Sequence, residues 1–125
     1  MKTLIDTNIL IHLFKGDSKT ESEILQIGIP DILVPSVAAM ELYRGMSNKK
    51  EMVGMVKKLA QFQILHYDEP TSQLALSFIR DFKLSHDLMI PDAIIGAMAV
   101  HYSLPLHTYN RKDFQYLPGI VMYQS

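Results

Sequence analysis

Four acidic residues have neighbours that are unusual for carboxylates on a solvated surface. Asp6 directly follows the apolar pair Leu4–Ile5, and Asp113 follows Thr108-Tyr109-Asn110 just after a predicted strand. Glu41 lies on the apolar side of a predicted helix, and Asp92 begins the most apolar helix of the chain. Carboxylates gathered at one place raise each other's pKa values unless a cation holds them. Because hard oxygen ligands without cysteine or paired histidine suit Mg²⁺ or Mn²⁺, this set is typical of a divalent-metal site.

Each of these acids, taken alone, also has an ordinary structural explanation. Asp6 could be a turn or capping residue, and Asp113 could cap a short helix. Glu41 could form an ion pair with Arg44 one helical turn later, and the helix dipole favours an acid at Asp92. The four together are more specific than any one of them, because all follow a strand or lie on a helix facing the same edge of the predicted sheet.

The position of Glu41 on its helix is the basis for expecting it inside the protein. At about 100° per residue, Glu41 falls about 40° from Val37 and lies between Met40 and Ala38 on a helical wheel. An unpaired carboxylate on a buried face costs several kcal/mol, so it needs a partner there. The same wheel places Met40 in the core.

The elements that would position these acids alternate between short apolar strands and helices, which predicts a parallel sheet with helices on both faces. We expect strands at residues 4–5, 32–34, 64–65, 106–108 and 120–122. We expect helices at residues 9–14, 18–28, 36–45, 49–61 and 93–102, with another beginning at residues 70–71. The predicted fold class is α/β, a three-layer α/β/α sandwich around a central parallel sheet of four or five short strands.

Side chains that can accept the free N–H groups of a first helical turn predict where several helices begin. Thr7 or Asn8 is the expected cap of the first helix. Ser18 and Glu21 form a capping box for the second helix, and Ser36 is the expected cap of the third. These assignments leave the acid at the end of the first strand for the functional site.

Composition favours one globular domain over residues 1–125, since 48% of the residues are hydrophobic and 20% are charged. The absence of cysteine excludes disulfides and thiolate metal sites. No apolar run reaches the roughly 20 residues of a membrane span, and no leader-like segment begins the chain, so we expect a cytoplasmic protein. The net charge of −1 argues against nucleic-acid binding. With four acids bound to metal, however, nine would remain against 12 Lys and Arg.

Four short segments follow one another in the order and spacing of a known nuclease family. They are LIDTN at 4–8, MELYRG at 40–45, PDAIIGA at 91–97 and TYNRKDF at 108–114, of which the last is the most distinctive. Together they span nearly the whole chain. The sequence therefore resembles a PIN-domain ribonuclease, specifically the VapC-like toxins of bacterial type II toxin–antitoxin modules.

The resemblance implies a set of functional residues. The metal ligands, which would also be the catalytic residues, are Asp6, Glu41, Asp92 and Asp113. The supporting polar residues are Asn8, Thr108 and Asn110, and the basic residues beside the substrate are Arg111 and Lys112. Asp87 departs from the family pattern by adding an acid shortly before the third ligand, and it stays a secondary candidate.

The resemblance also implies a chemistry and a set of partners. Mg²⁺, which Mn²⁺ could replace, would activate a water molecule for attack on an RNA phosphodiester and leave 5′-phosphate and 3′-hydroxyl ends. The expected partners are the RNA substrate, a cognate antitoxin protein and a second copy in a homodimer. Because thioether side chains suit adaptable surfaces, Met46 and Met52 favour a groove for an antitoxin segment or a dimer interface.

Other functions have specific sequence requirements. A phosphoacceptor receiver domain needs paired acids after the first strand and a lysine after the last, but Asp6 stands alone and nothing basic follows Val121. A haloacid-dehalogenase-type phosphatase needs an acid where Asn8 stands. A PIN fold used only for interaction would not need all four acids. A metal-independent nuclease would use a pair of histidines for acid–base catalysis. The spacing of the histidines in this chain shows no such motif. The five histidines are His12, His66, His86, His101 and His107.

Overall fold

Four short parallel strands run through the centre of the molecule. The computed structural model describes residues 1–124, where the strands are β1 (Thr3–Ile5), β2 (Ile32–Pro35), β3 (Gln63–Leu65) and β4 (Leu106–His107), in the order β3-β2-β1-β4. The helices are α1 (Thr7–Phe14), α2 (Ser18–Ile27), α3 (Ser36–Arg44), α4 (Lys49–Leu59), α5 (Glu69–His86) and α6 (Ile90–His101). Short 3₁₀ turns lie at Ile29–Asp31 and Arg111–Asp113. This architecture confirms the predicted α/β/α sandwich.

The sheet separates two hydrophobic cores, because successive residues of a strand point to opposite faces. Leu4 and Leu33 belong to the core that contains α5 and α6. Ile5 and Val34 belong to the core that contains residues of α1, α2, α3 and α4. All four side chains are fully or almost fully buried. Because burying one such side chain contributes about 1.5–3 kcal/mol, these contacts hold both helical layers on the sheet.

The predicted final strand at residues 120–122 is reduced to a single parallel bridge between Leu106 and Met122. The backbone N–H of Leu106 donates to Val121, and the N–H of Tyr123 donates back to Leu106. β4 itself has only two residues, so it offers few backbone groups for further pairing. The predicted fifth strand is therefore present only as an edge contact.

Helix caps differ from the predictions at three helices, and at two of these a carboxylate replaces the expected side chain. Asp6, rather than Thr7 or Asn8, caps α1, and its side chain accepts the backbone N–H of Thr7. Asp17, rather than Ser18, caps α2. At α3 the residue preceding Ser36 occupies the cap position and makes no side-chain hydrogen bond. A charged oxygen makes a stronger hydrogen bond to a backbone N–H than a hydroxyl does, which explains the first two corrections.

The buried face of α3 is not the one that the helical wheel predicted. Small residues, Ala38 and Ala39, are buried together with Leu42, while Met40 is 55% exposed and Glu41 is also exposed. The prediction of a core position for Met40 is therefore wrong, as is the expectation of a buried Glu41. The small side chains of Ala38 and Ala39 let the helix approach its neighbours closely. This face is therefore buried in preference to the face that carries the larger side chain of Met40.

The helix α6 is central, as its composition predicted. Six of its residues are buried; they are Ala93, Ile95, Gly96, Ala97, Met98 and Ala99. Pro91 lies in the first turn, where its missing N–H costs nothing, so the helix begins at Ile90 instead of Ala93. In residues 1–124 no helix is both long enough and apolar enough to cross a bilayer.

Candidate functional site

Asp6 is the centre of a hydrogen-bonded group at the carboxyl end of β1. The residue is only 5% exposed. Its Oδ1 accepts the N–H of Thr7 at 2.7 Å, and its Oδ2 accepts the hydroxyl of Thr108 at 2.9 Å and the amide of Asn8 at 3.2 Å. A carboxylate has about four lone-pair positions, so about one of them stays available for a further ligand.

Asn8 and Thr108 are held in turn by backbone groups on the loop after β4. The side-chain oxygen of Asn8 accepts the N–H of Tyr109 at 3.2 Å, and the Thr108 hydroxyl accepts the N–H of Asn110 at 3.0 Å. Parallel pairing of Ile5 with His107 brings the ends of β1 and β4 side by side. The structure therefore places the side chains of Asn8 and Thr108 directly on Asp6, whereas Asn110 contacts Thr108 through its backbone N–H.

Glu41 reaches the same edge of the sheet from α3. Its Oε1 accepts the hydroxyl of Thr7 at 2.8 Å. In the part of the chain that the structure describes, it forms no ion pair with Arg44. Thr7 is thus a site residue that the sequence analysis considered only as a helix cap, although it directly follows Asp6.

Asp92 and Asp113 line one cavity of about 270 Å³, together with Asp87 and the aromatic side chain of Tyr116. Asp92 lies in the first turn of α6 and Asp113 in the last 3₁₀ turn, and both are half-buried. Asp87 ends α5 in the left-handed conformation, and its carboxylate lies 2.6 Å from Nζ of Lys83. An exposed acid that is already paired is a poorer metal ligand than the other two.

The charges of the four acids act on one another across this edge of the sheet. Burial is the main cause that raises the pKa of Asp92 to about 7. The negative charges of Asp6, Asp113 and Glu41 add to this shift. Burial also raises the pKa of Asp6, although its hydrogen bonds from Thr108 and Thr7 oppose the change. The acids thus form an electrostatically coupled group.

These residues fit a hard divalent cation in their chemistry, because all the charged donors are carboxylates and they repel one another. Within residues 1–124, however, no three His, Asp or Glu side chains converge closely enough to enclose an ion as they stand. Asp92 and Asp113 are half-buried and Glu41 is exposed, so none of these three side chains is enclosed in the core. A bound cation would therefore have to draw them together.

A family model for the PIN domain matches residues 3–119. The chain belongs to the PIN-domain family. No curated protein matches the chain by sequence. The match covers all four strands and all six helices described above.

Solved structures of toxin–antitoxin proteins share this fold. A chain of a toxin–antitoxin complex from Klebsiella pneumoniae is 30% identical, with a TM-score of 0.78, over 99% of this chain and 100% of that one. A chain of VapBC-1 from nontypeable Haemophilus influenzae is 21% identical, with a TM-score of 0.82, over 99% and 98%. A chain of VapBC2 from Rickettsia felis, solved with a promoter DNA fragment, is 19% identical, with a TM-score of 0.81, over 98% of each. The resemblance to VapC-like toxins is confirmed.

The two basic residues expected beside the substrate differ in this PIN domain. Arg111 donates a hydrogen bond from its guanidinium to the backbone carbonyl of Tyr123 at 3.1 Å, so it ties the C-terminal segment to the loop after β4. Lys112 is exposed in the 3₁₀ turn next to Asp113. The guanidinium of Arg111 is therefore already engaged, whereas the side chain of Lys112 is exposed.

A second polar group behind the site was not predicted from the sequence. Glu23, which is 8% exposed, accepts the hydroxyl of Tyr109, and the hydroxyl of Thr20 lies 2.8 Å from the hydroxyl oxygen of Tyr109. Nε2 of His107 lies 3.5 Å from Glu23, and burial lowers the pKa of this histidine. The group ties α2 to the loop that holds Asn8. Its only sequence signal was an acid on the apolar side of α2.

Proposed function

We propose that this PIN domain is a metal-dependent endoribonuclease and the toxin of a toxin–antitoxin module. The observation that supports the proposal is the group of four electrostatically coupled acids at the carboxyl edge of the sheet. Repulsion among these carboxylates destabilises the folded protein, and a purely structural role would not require it. A bound cation would relieve the repulsion. The likeness to toxin–antitoxin structures adds to it.

The residues proposed to hold Mg²⁺, or Mn²⁺ in its place, are Asp6, Glu41, Asp92 and Asp113. When bound, the ion supplies hydroxide near neutral pH and stabilises charge that develops on the phosphate oxygens. Asp6 is the most rigid of the four, because Thr108 and Asn8 both donate to its Oδ2. Such supporting hydrogen bonds fix the orientation of a metal ligand before the ion arrives.

The test of this function is RNA cleavage by the purified, partner-free chain with Mg²⁺ or Mn²⁺, with EDTA, and as the Asp6→Asn variant. We expect cleavage that needs both the metal and Asp6, with 5′-phosphate and 3′-hydroxyl ends. Cleavage that persists in EDTA would overturn the metal mechanism. A folded wild-type chain that binds Mn²⁺ and cuts no RNA would favour a PIN fold used only for interaction, to which the loose convergence of the acids also points.

We also propose a cognate antitoxin as a partner and a homodimer as the assembly, in the cytoplasm. A cavity of about 440 Å³ runs beside Glu41 and is lined by apolar residues that include Ile11, Met46 and Met55. This groove would take an antitoxin segment, and Met52, which is 37% exposed, lies on the same helix as Met55.

A Met46→Glu variant should lose co-purification with the antitoxin while keeping RNA cleavage; retained binding would place the antitoxin elsewhere.

A further inference from the structure

His86 and Tyr116 form a stacked aromatic pair on the wall of the cavity that holds Asp92 and Asp113. Their ring centroids are 3.8 Å apart and their planes differ by 14°. Phe82 supports both rings from the side, with centroids 5.2 Å from Tyr116 and 5.8 Å from His86. The pair is therefore held on a rigid base at the C-terminal end of α5.

His86 is the more accessible member of this pair. Tyr116 covers one face of its imidazole, and yet His86 as a whole is exposed, whereas Tyr116 is half-buried. Nδ1 of His86 lies 2.7 Å from the hydroxyl oxygen of Ser85. This hydrogen bond restricts rotation of the imidazole about its side-chain bonds. Met89, which is 60% exposed, adds an adaptable apolar surface to the same cavity.

The surroundings favour a flat and uncharged ligand at His86. Three acids, Asp87, Asp92 and Asp113, line the cavity, so a free anion would be repelled. An exposed aromatic ring instead offers stacking, which every nucleobase can use. A phosphate held at the proposed metal ligands would bring a neighbouring base within the dimensions of this one cavity.

We propose that His86 and Tyr116 are a stacking platform for an unpaired base of a single-stranded RNA, adjacent to the phosphate that is cut. This proposal rests on the proposed nuclease function and adds a base-binding position to it. His86 contacts the base, and Tyr116 and Phe82 hold His86 in place.

The experiment uses the full chain with Asp6→Asn, so that the RNA stays intact during binding. The probe is a uridine octamer with a single 2-aminopurine, whose fluorescence falls when the base stacks; a fluorescein-labelled copy reports affinity by anisotropy. Four proteins are compared in this background: unchanged His86, His86→Phe, His86→Ala and His66→Ala. His66 is an exposed histidine outside this cavity and serves as the matched control.

We expect quenching of 2-aminopurine with His86 and with His86→Phe, because both rings stack. His86→Ala should lose the quenching and bind RNA about 5- to 100-fold more weakly, which corresponds to the loss of one base stack. His66→Ala should behave like the parent. Circular dichroism verifies that His86→Ala is folded, which its exposed position favours.

Parallel cleavage assays with the otherwise wild-type chain separate this proposal from the function on which it rests. If the wild type cuts RNA while His86→Ala quenches and binds as the parent does, the platform is wrong and the nuclease function stands. If the wild type neither binds nor cuts RNA, both proposals fail. If His86→Phe is as defective as His86→Ala, a role for the imidazole nitrogens replaces stacking and the platform is also wrong.

Discussion

A single buried carboxylate shows how one residue combines two roles in this protein. Asp6 caps α1 through Thr7, and it also presents a hydrogen-bonded oxygen to the proposed metal site. These roles are alternatives when Asp6 is considered from the sequence, but the two oxygens of one carboxylate can serve both. The donors on Oδ2 then become the residues that decide how well the acid is oriented.

Asn8→Ala should lower the catalytic rate, because it removes the donor to Asp6 and the acceptor for the N–H of Tyr109. Changes in residues that orient a metal ligand typically cost about 10–100-fold in activity or metal affinity, and we expect a loss in this range. The measurement is kcat for RNA cleavage together with Mn²⁺ affinity.

The matched control for this variant is Asn48→Ala. Asn48 caps α4 away from the acids, so its replacement should cost about 1 kcal/mol of stability and leave the rate unchanged. Equal rates for Asn8→Ala and the wild type would show that Asn8 does not orient the site.

Among the secondary structure elements, α6 carries most of the packing that positions Asp92 and Asp113. Gly96 lies against Leu117 so closely that a Cβ at this position would be 2.4 Å from its Cδ1. Phe114, which follows Asp113 directly, is fully buried beside them. The small residue on α6 thus makes room for the segment that follows the fourth acid.

Gly96→Ala should destabilise the fold by about 1–3 kcal/mol, because the methyl group overpacks a filled core. Gly54→Ala is the matched control, since a Cβ there meets nothing within 4 Å. In α4 this change should instead stabilise by about 0.4–1 kcal/mol, because alanine restricts the unfolded chain. Urea denaturation of both variants tests the pair, and a stabilised Gly96→Ala would contradict the packing described here.

The N-terminus of α5 gives the fold a pH dependence at low pH. Hydrogen bonds from the hydroxyl and the N–H of Thr71 lower the pKa of Asp68 to about 2, with a smaller contribution from His101. A carboxyl group whose pKa is lower in the folded state stabilises the protein above its unfolded pKa of about 3.9. That stabilisation is lost as the pH falls from about 4 to about 2.

Asp68→Asn should therefore reduce the pH dependence of the melting temperature. The wild type should be the more stable protein at pH 6, and the difference between the two should shrink as the pH falls below about 4. Thermal unfolding followed by circular dichroism at a series of pH values measures this difference. A constant difference from pH 6 to pH 2 would show that the charge of Asp68 does not contribute.

At the scale of the whole molecule, the proposed site lies between the two hydrophobic cores. Glu41 comes from α3, in the layer with α1 and α4, whereas Asp92 comes from α6 in the opposite layer. Asp6 ends the central strand β1 that both layers cover. The repulsion among these acids therefore acts between the layers, and a cation that binds them should hold the layers together.

Saturating Mg²⁺ or Mn²⁺ should raise the melting temperature relative to EDTA. An ion present at 100 times its dissociation constant contributes about 2.7 kcal/mol if it binds only the folded state. At pH 8, above the raised pKa of Asp92, this carboxylate is ionised and repelled. Asp92→Asn should then raise the melting temperature in EDTA and weaken the response to metal. Equal melting temperatures in Mg²⁺, Mn²⁺ and EDTA would contradict a cation site.

Patterns within the sequence were sufficient to establish the fold class, and they predicted that four acids lie along one edge of the sheet. Alternating strands and helices permit only a parallel sheet with covered faces, and the carboxyl ends of such strands share one edge. Four short segments in a fixed order were sufficient to indicate the PIN-domain family, which the family model confirmed. These features are local or periodic, so they can be recognised without knowledge of distant contacts.

The faces that the helices bury and the partners that their side chains contact depend instead on tertiary packing. The face of α3 depends on how closely Ala38 can approach its neighbours, and a wheel cannot show this distance. The bond between Tyr109 and Glu23 joins residues 86 positions apart. The stacking of His86 on Tyr116 likewise joins two elements that are separate in the chain. Such contacts depend on the packing of whole layers, and no local pattern encodes them.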